Sequence, residues 1–456
     1  MSAQEWNKSA PRSQDVLDLV DHYFGRHFSK THALFLAYLL HATRQGHLCV
    51  YVDEEKLYPS LGEIDSELIA QAKSLPDLPI VVRHENRWYL KRSFDAEQTF
   101  QNHVIRLRDQ KVDCIDFQKD PSLNFEQGAA IEHAFSHALT LVCGGPGTGK
   151  TYTAATLIRH FPGSVLVAAP TGKAAANLRA ALPDCTVKTL HALLYSKLDA
   201  ELIVIDEGSM IDAEMMAKLF AAIPEGARLV IFGDPNQLPP VEAGSLFTDL
   251  AQEGSIVLTK CLRAELQEII DLCEAVKRAE MIPYKPLPSV EELVTLIRGS
   301  SATILTPLRR GLYGAQYLNQ LVHQKDEGAP IMITANDTKI DLYNGDVGTL
   351  HGDEAHFGQR RVPRYLLPPY TYAYVLSVHK SQGSEYEDVI VLLPEGSERF
   401  GKEMLYTAVT RAKKRVTLYA AEGVLEKVLL TQMKRLSHRS MPSELIGKGG
   451  KSRPQV

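Results

Sequence analysis

Residues 144–151 read Gly-Gly-Pro-Gly-Thr-Gly-Lys-Thr, after the apolar run LTLVC and just before the helical stretch TAATLIRHF. A strand, a glycine-rich turn and a helix in that order form a phosphate-binding loop. Glycines let backbone N–H groups turn inward, so Gly145, Pro146, Gly147, Thr148 and Gly149 can cradle a polyphosphate. Lys150 then supplies a point charge to the β- and γ-phosphates, and Thr151 offers a hydroxyl to Mg²⁺. A chance glycine-rich turn would explain the loop alone. It would not explain the strand, helix, lysine and threonine together.

Two further runs end in groups that such a loop needs. Leu202-Ile-Val-Ile is followed by Asp206 and Glu207, which describes a buried strand delivering two carboxylates to its tip. Asp206 is suited to hold the metal, and Glu207 to polarise an attacking water as general base. Without the phosphate loop, a DE pair after a strand would be an ordinary helix start. A third strand closes with Phe-Gly-Asp-Pro-Asn-Gln-Leu-Pro-Pro-Val, which places Gln237 to sense a γ-phosphate. The simpler account of that segment is a proline-bearing turn.

These groups must be carried by a sheet. Short apolar runs at 139–143, 165–169, 202–205 and 229–232 alternate with helical stretches, the pattern of a parallel sheet covered on both faces. Ligands bind at the carboxyl ends of such strands. A second block carries runs at 303–305, 375–376, 389–393 and 416–419. The sequence therefore predicts an α/β protein with an N-terminal domain at 1–120, a first sheet domain at 121–264 and a second at 265–440. The N-terminal region is read as small and mainly helical. A short β insertion is expected near 345–370, and a disordered tail at 441–456, where GKGGKSRPQV is found.

Composition excludes several classes. The chain has 456 residues, 45% apolar, and a formal net charge of -5, so it is not uniformly basic, although a local basic groove is enough to hold nucleic acid. Six scattered cysteines form no C-x-x-C pair, which argues against zinc and iron–sulfur sites and fits a reducing cytoplasm. The N-terminus lacks an apolar signal segment. No apolar run is long enough to span a bilayer, which takes about 20 residues.

In order along the chain, GGPGTGKT, DEGSM, GDPNQLPPV, VHKSQGSE and YTAVTRAK resemble the motifs of superfamily 1 helicases. They are most similar to the RecD branch, the alpha subunits of exodeoxyribonuclease V. The resemblance covers about residues 121–420, with a weaker echo in GHLCVYVDE. It implies two RecA-like P-loop NTPase domains with ATP in the cleft between them. It also implies 5′-to-3′ movement on single-stranded DNA, and a place beside RecB- and RecC-like subunits in double-strand break repair and recombination. On the same resemblance Gln127 reads the adenine base, and Arg263 and Arg411 reach the γ-phosphate across the cleft. Gly383 and Glu385 contribute to the nucleotide pocket. Thr171, Lys173, Thr189 and His191 contact the strand from the first domain. Thr306, Asn344, His379, Ser381 and Gln382 contact it from the second. Tyr343 is a candidate for base stacking, with ordinary packing as the simpler alternative.

The chemistry of arginine supports its two assignments independently, because a planar, permanently charged fork suits phosphate. Three departures from the family pattern stand out. The stretch between His191 and Leu202 is very short where relatives carry a duplex-splitting β-hairpin, Asn344–Tyr370 is brief for the SH3-like insertion of the family, and motif II reads DEGS where DEAS is commoner, so duplex separation is not expected of this subunit alone. Alternatives to a partnered motor are a free-standing helicase of this type and a regulatory ATP-binding subunit. No separate acidic cluster suits a two-metal nuclease, so cutting is expected of a partner.

Overall fold

The computed structural model describes residues 17–118, 120–261, 267–337, 339–433 and 435–439. Arg263 and the tail at 441–456 lie outside the described residues.

The two parallel sheets arise from the runs that are apolar on both faces. In the first, the strands lie in the order Ile256–Leu258, Leu139–Gly144, Arg228–Gly233, Leu202–Ile205, Val165–Ala169, Val187–Thr189. Every pairing is parallel. Leu139–Gly144, Arg228–Gly233 and Leu202–Ile205 are buried along their whole length, so both of their faces are covered. The second sheet runs Lys285–Pro286, Ala412–Ala420, Tyr386–Leu393, Thr303–Thr306, Val375–Ser377, again all parallel. Crossover connections between parallel strands place helices on the faces and leave the strand tips free for loops.

The N-terminal region is mainly helical, and it also holds a four-stranded antiparallel sheet built from Leu57–Tyr58, Cys49–Val52, Arg87–Leu90 and Val81–His84. The helix Lys91–Asp109, within the stretch expected to form the N-terminal domain, packs on the helix Ala213–Ala222 of the first parallel layer. Phe100, Val104 and Leu107 share one face by their i, i+4, i+7 spacing. The Phe100 ring meets Phe220 edge-on at 4.7 Å. Burying such a phenylalanine contributes about 1.5–3 kcal/mol. The small β unit, expected near 345–370, is a five-stranded antiparallel sheet that begins at Pro330–Ile333 and ends at Tyr370–Tyr372. The opening run Pro-Ile-Met-Ile lies in this sheet rather than in a parallel layer, pairing with strands on both sides. Between the helix Leu190–Leu193 and the strand Leu202–Ile205, residues 194–201 contain no strand, and so no hairpin.

After the helix Val424–Leu430, the chain turns back and runs along the N-terminal region and the first parallel domain as a strap. Leu436 pairs by backbone with Leu48 (2.9 Å), and its N–H donates to His47 Nδ1 at 3.0 Å. Ser437 Oγ donates to Asp249 (2.7 Å), and the His438 N–H donates to Glu97 Oε1 (2.8 Å). Arg435 donates to the carbonyls of Glu242 (2.8 Å) and Pro240, beyond the third strand of the site.

Burial pushes the Glu97 carboxyl up to about 7, with the Asp249 charge adding and the His438 N–H opposing. Its pKa is raised on folding. The stability it contributes is therefore present below the ordinary carboxylate range and is lost as pH rises through about 7. Glu97→Gln keeps the acceptor for His438 and removes the charge. It is expected to stabilise the fold more at about pH 8 than at about pH 5, by on the order of 2 kcal/mol. Urea unfolding at both pH values checks this, and a variant less stable than wild type at the higher pH contradicts it.

Candidate active site

The tips of the first sheet bring the predicted groups together. The strand Leu139–Gly144 passes into the phosphate loop. There Gly147 (φ 71°) and Gly149 (φ 81°) occupy the left-handed region. Only glycine enters that region without steric cost. Thr148 Oγ1 closes the loop onto the Gly145 carbonyl at 2.9 Å. Lys150 opens the helix Lys150–His160 and donates from Nζ to the carbonyls of Gly144 (2.7 Å) and Gly145 (3.0 Å). The ammonium thus lies at the mouth of the loop.

Asp206 and Glu207 follow the strand Leu202–Ile205 as expected. Burial is the main reason that the Asp206 carboxyl is pushed up to about 6; the neighbouring Glu207 raises it further and Lys150 opposes. Glu207 is a non-glycine residue at φ 56°. Such a strained conformation persists where the surrounding structure enforces it. The next residue explains the DEGS spelling. A Cβ at Gly208 would stand 2.4 Å from Ile231 Cγ2 and 3.0 Å from Phe247, so the packing of this chain leaves room only for glycine. Gln237 is buried, and its Oε1 has no hydrogen-bond partner among the described residues. That is an uncommon state for a buried acceptor.

The second sheet completes the wall. One cavity of about 760 Å³ is lined by residues 145–151, Lys173, Asp206, Glu207 and Gln237 from the first side, and by Gly383, Ser384, Glu385, Thr410 and Arg411 from the second. Arg411 is buried; its guanidinium donates to the carbonyls of Ser384 (3.1 Å) and Thr407 (3.2 Å) and to Thr410 Oγ1 (3.3 Å). The two halves also touch directly. Asn177 Nδ2 donates to the Gly383 carbonyl (2.7 Å), and Lys173 Nζ to that of Gly345 (3.3 Å). Leu238 N–H donates to Thr407 Oγ1 (2.7 Å), and Tyr406 Oη to Asp234 Oδ2 (2.8 Å), so the Gln237 loop is bonded to the helix leading into Arg411.

Other expected residues lie elsewhere. Gln127 does not line the cavity: it is fully buried, with Oε1 accepting from the Asn124 N–H (3.1 Å) and Nε2 donating to the Thr148 carbonyl (3.3 Å). The Nε2 end supports the phosphate loop from behind, while the Oε1 end completes the cap of the helix Phe125–Ser136. Among the strand-contact candidates, Ser381 and Thr306 are buried and donate to the carbonyls of Val378 and Tyr313. Thr171 and Thr189 cap the helices Gly172–Ala181 and Leu190–Leu193. Gln382 Nε2 donates to the Leu238 carbonyl (3.3 Å), and burial lowers the pKa of His379 and of Lys173. His191 and Asn344 are exposed. Tyr343 packs under Arg179 at 5.1 Å and beside Gly172, which is the ordinary-packing reading. Asn177, Ser384 and Thr410 were not picked out from sequence, because amides and hydroxyls carry no spacing signature.

Residues 122–283 match the AAA domain family, and residues 372–419 match the UvrD-like helicase C-terminal domain family. The RecBCD enzyme subunit RecD of Mycolicibacterium smegmatis is 30% identical, over 88% of this chain and 92% of that protein. The chain belongs to the RecD family. A RecD-type relative of another kind is the ATP-dependent RecD2 DNA helicase of Deinococcus radiodurans, 31% identical over 64% of this chain and 48% of that protein. The crystal structure of Bacteroides Pif1 bound to ssDNA shares the fold, with 19% identity, a TM-score of 0.50, and coverage of 69% of this chain and 95% of that one. The paired parallel-sheet domains thus have the RecA-like fold of the RecD family. No helix among the described residues is long and apolar enough to cross a membrane.

Proposed function

We propose that this chain is an ATP-driven motor that moves 5′ to 3′ along single-stranded DNA, as the RecD-type subunit of a RecBCD-like assembly in break repair and recombination. The single observation that carries the reading is that Lys150 of one domain and Arg411 of the other line one cavity. A triphosphate held there is gripped from both sides, so its cleavage alters the attraction between the domains. Thr151 and Asp206 offer the hard oxygen donors that suit Mg²⁺, which when bound would neutralise phosphate charge. Glu207 is placed to take a proton from the attacking water, and the unpartnered Gln237 Oε1 to accept a hydrogen bond from it. The bonds from Leu238 to Thr407 and from Asn177 to Gly383 carry a change at the phosphate into the loops of both domains. His191 and Asn344 are the exposed members of the proposed strand-contact set.

ATP turnover by the purified chain, with and without single-stranded oligonucleotide, tests the reading, followed by unwinding of duplexes with a 5′ or a 3′ overhang. Strand-stimulated turnover and a preference for the 5′ overhang are expected. Turnover indifferent to DNA would favour a regulatory ATP-binding subunit instead.

The partners proposed are RecB- and RecC-like subunits. Support comes from the helix Leu19–Phe28, on which Leu19, Val20 and Tyr23 are all largely exposed. An apolar stripe open to solvent in this way marks an interface. Replacing Leu19 and Tyr23 together with aspartate is expected to abolish co-purification with such subunits and to leave the isolated chain's ATP turnover unchanged. Retained co-purification would remove this helix from the interface.

A further inference from the structure

Away from the ATP cavity, His84, Glu85 and His438 converge, with one ligand atom from each lying within 4.8 Å of the others. We propose that these three side chains form a transition-metal site that staples the C-terminal strap to the N-terminal sheet.

The three residues come from opposite ends of the chain, so their meeting depends on the fold. His84 ends the strand Val81–His84, and Glu85 begins the tight turn into Arg87–Leu90. Glu85 sits at φ 55°. A turn position of that kind is usually filled by asparagine, aspartate or glycine. His438 arrives on the strap, where its N–H is fixed on Glu97 and the preceding Ser437 on Asp249. The rings of His84 and His438 stand edge to face at 5.7 Å. His84 Nδ1 is shielded from solvent with no hydrogen-bond partner among the described residues. Most buried polar atoms have one.

The donor set is two imidazoles and a carboxylate. That combination suits Zn²⁺, with Co²⁺ and Ni²⁺ as its chemical relatives, and disfavours the oxygen-seeking Mg²⁺ and Ca²⁺. Three protein ligands leave a fourth position for water. Tetrahedral bonds of about 2.0–2.1 Å place ligand atoms about 3.3 Å apart, so binding draws the three side chains closer than their present spacing. Arg87 Nη1 holds Glu85 Oε2 at 2.7 Å. An outer contact of this kind orients a ligating carboxylate. Its positive charge also lowers the site's affinity.

The consequence lies in the strap. Arg435, on the same strap as His438, holds the carbonyls of Pro240 and Glu242 beside the Gln237 loop. An ion on His438 fixes this docking and so ties the tail of the second domain to the first.

The test titrates the full chain, stripped with chelator, with Zn²⁺ alone against a competing indicator, and records the Co²⁺ absorption spectrum. Wild type is expected to bind Zn²⁺ at a site that His438→Ala weakens by about tenfold or more, with His84→Ala and Glu85→Gln acting in the same direction. Zn²⁺ is also expected to raise the unfolding temperature of wild type and not of His438→Ala. The pairs His133–His137 and His351–His356 give a background common to every variant. His438→Ala and Glu85→Gln keep the test decisive should His84→Ala fail to fold. Equal Zn²⁺ affinity and stoichiometry in wild type and His438→Ala, or no binding by wild type above that background, overturns the proposal.

Discussion

Lys150→Ala is expected to lower ATP turnover by about 10³-fold or more while the chain stays folded. The lysine is the cation at the mouth of the phosphate loop, and among the described residues its hydrogen bonds run only to the loop's own carbonyls, Gly144 and Gly145. The loop does not need it for shape. Thr148 closes the turn onto Gly145, Thr153 Oγ1 donates to the Gly149 carbonyl at 2.9 Å, and Gln127 supports the loop from behind. Loss of a partly buried ammonium that serves two local carbonyls costs about 1 kcal/mol of stability. Turnover with single-stranded DNA and the unfolding temperature are measured side by side. Undiminished turnover in a folded variant would remove the site from the reaction. A large fall in unfolding temperature would make Lys150 a structural residue instead.

The loop was legible because its chemistry is local in sequence. Strand, turn, lysine and helix are contiguous, and the carboxylates follow directly on a strand. The central strands were equally legible, since burial on both faces leaves a continuous apolar run. Three of the four edge strands of the parallel sheets were not; Val375–Ser377 was the exception. Val187–Thr189, Ile256–Leu258 and Lys285–Pro286 are too short or too polar to stand out from loops. The placement of Lys91–Asp109 was out of reach for a different reason: its apolar stripe shows that one face is buried, and nothing in the pattern says against which neighbour. The strand-contact residues came from resemblance alone, and the structure engages several of them internally, as with Ser381 on Val378 and Thr306 on Tyr313. The strap carries no motif. His438 and Arg435 acquire meaning only from what lies beside them after the chain has folded back.

Arg411→Ala is expected to lower turnover by about 10³-fold with ATP affinity changed less than about tenfold. On the proposed reading Lys150 grips the phosphates from the domain that also binds them. Arg411 comes from the other domain, so its contribution arises as the cleft closes on the reacting group, and that is a gain made in the transition state rather than on binding. The conservative change separates charge from shape. Arg411→Lys keeps a cation but loses the planar fork that bonds Ser384, Thr407 and Thr410, and little turnover is expected to return. Truncation also leaves those buried acceptors short of a donor, at a cost of about 1–3 kcal/mol, so the unfolding temperature falls modestly. The decisive readout is the split between terms. A fall in kcat with KM nearly unchanged places Arg411 on the γ-phosphate in the transition state, whereas a loss confined to stability would make it only a bolt between the Thr410 and Ser384 loops. Full turnover in a folded Arg411→Ala chain would break the link between the two domains on which an ATP-driven motor depends.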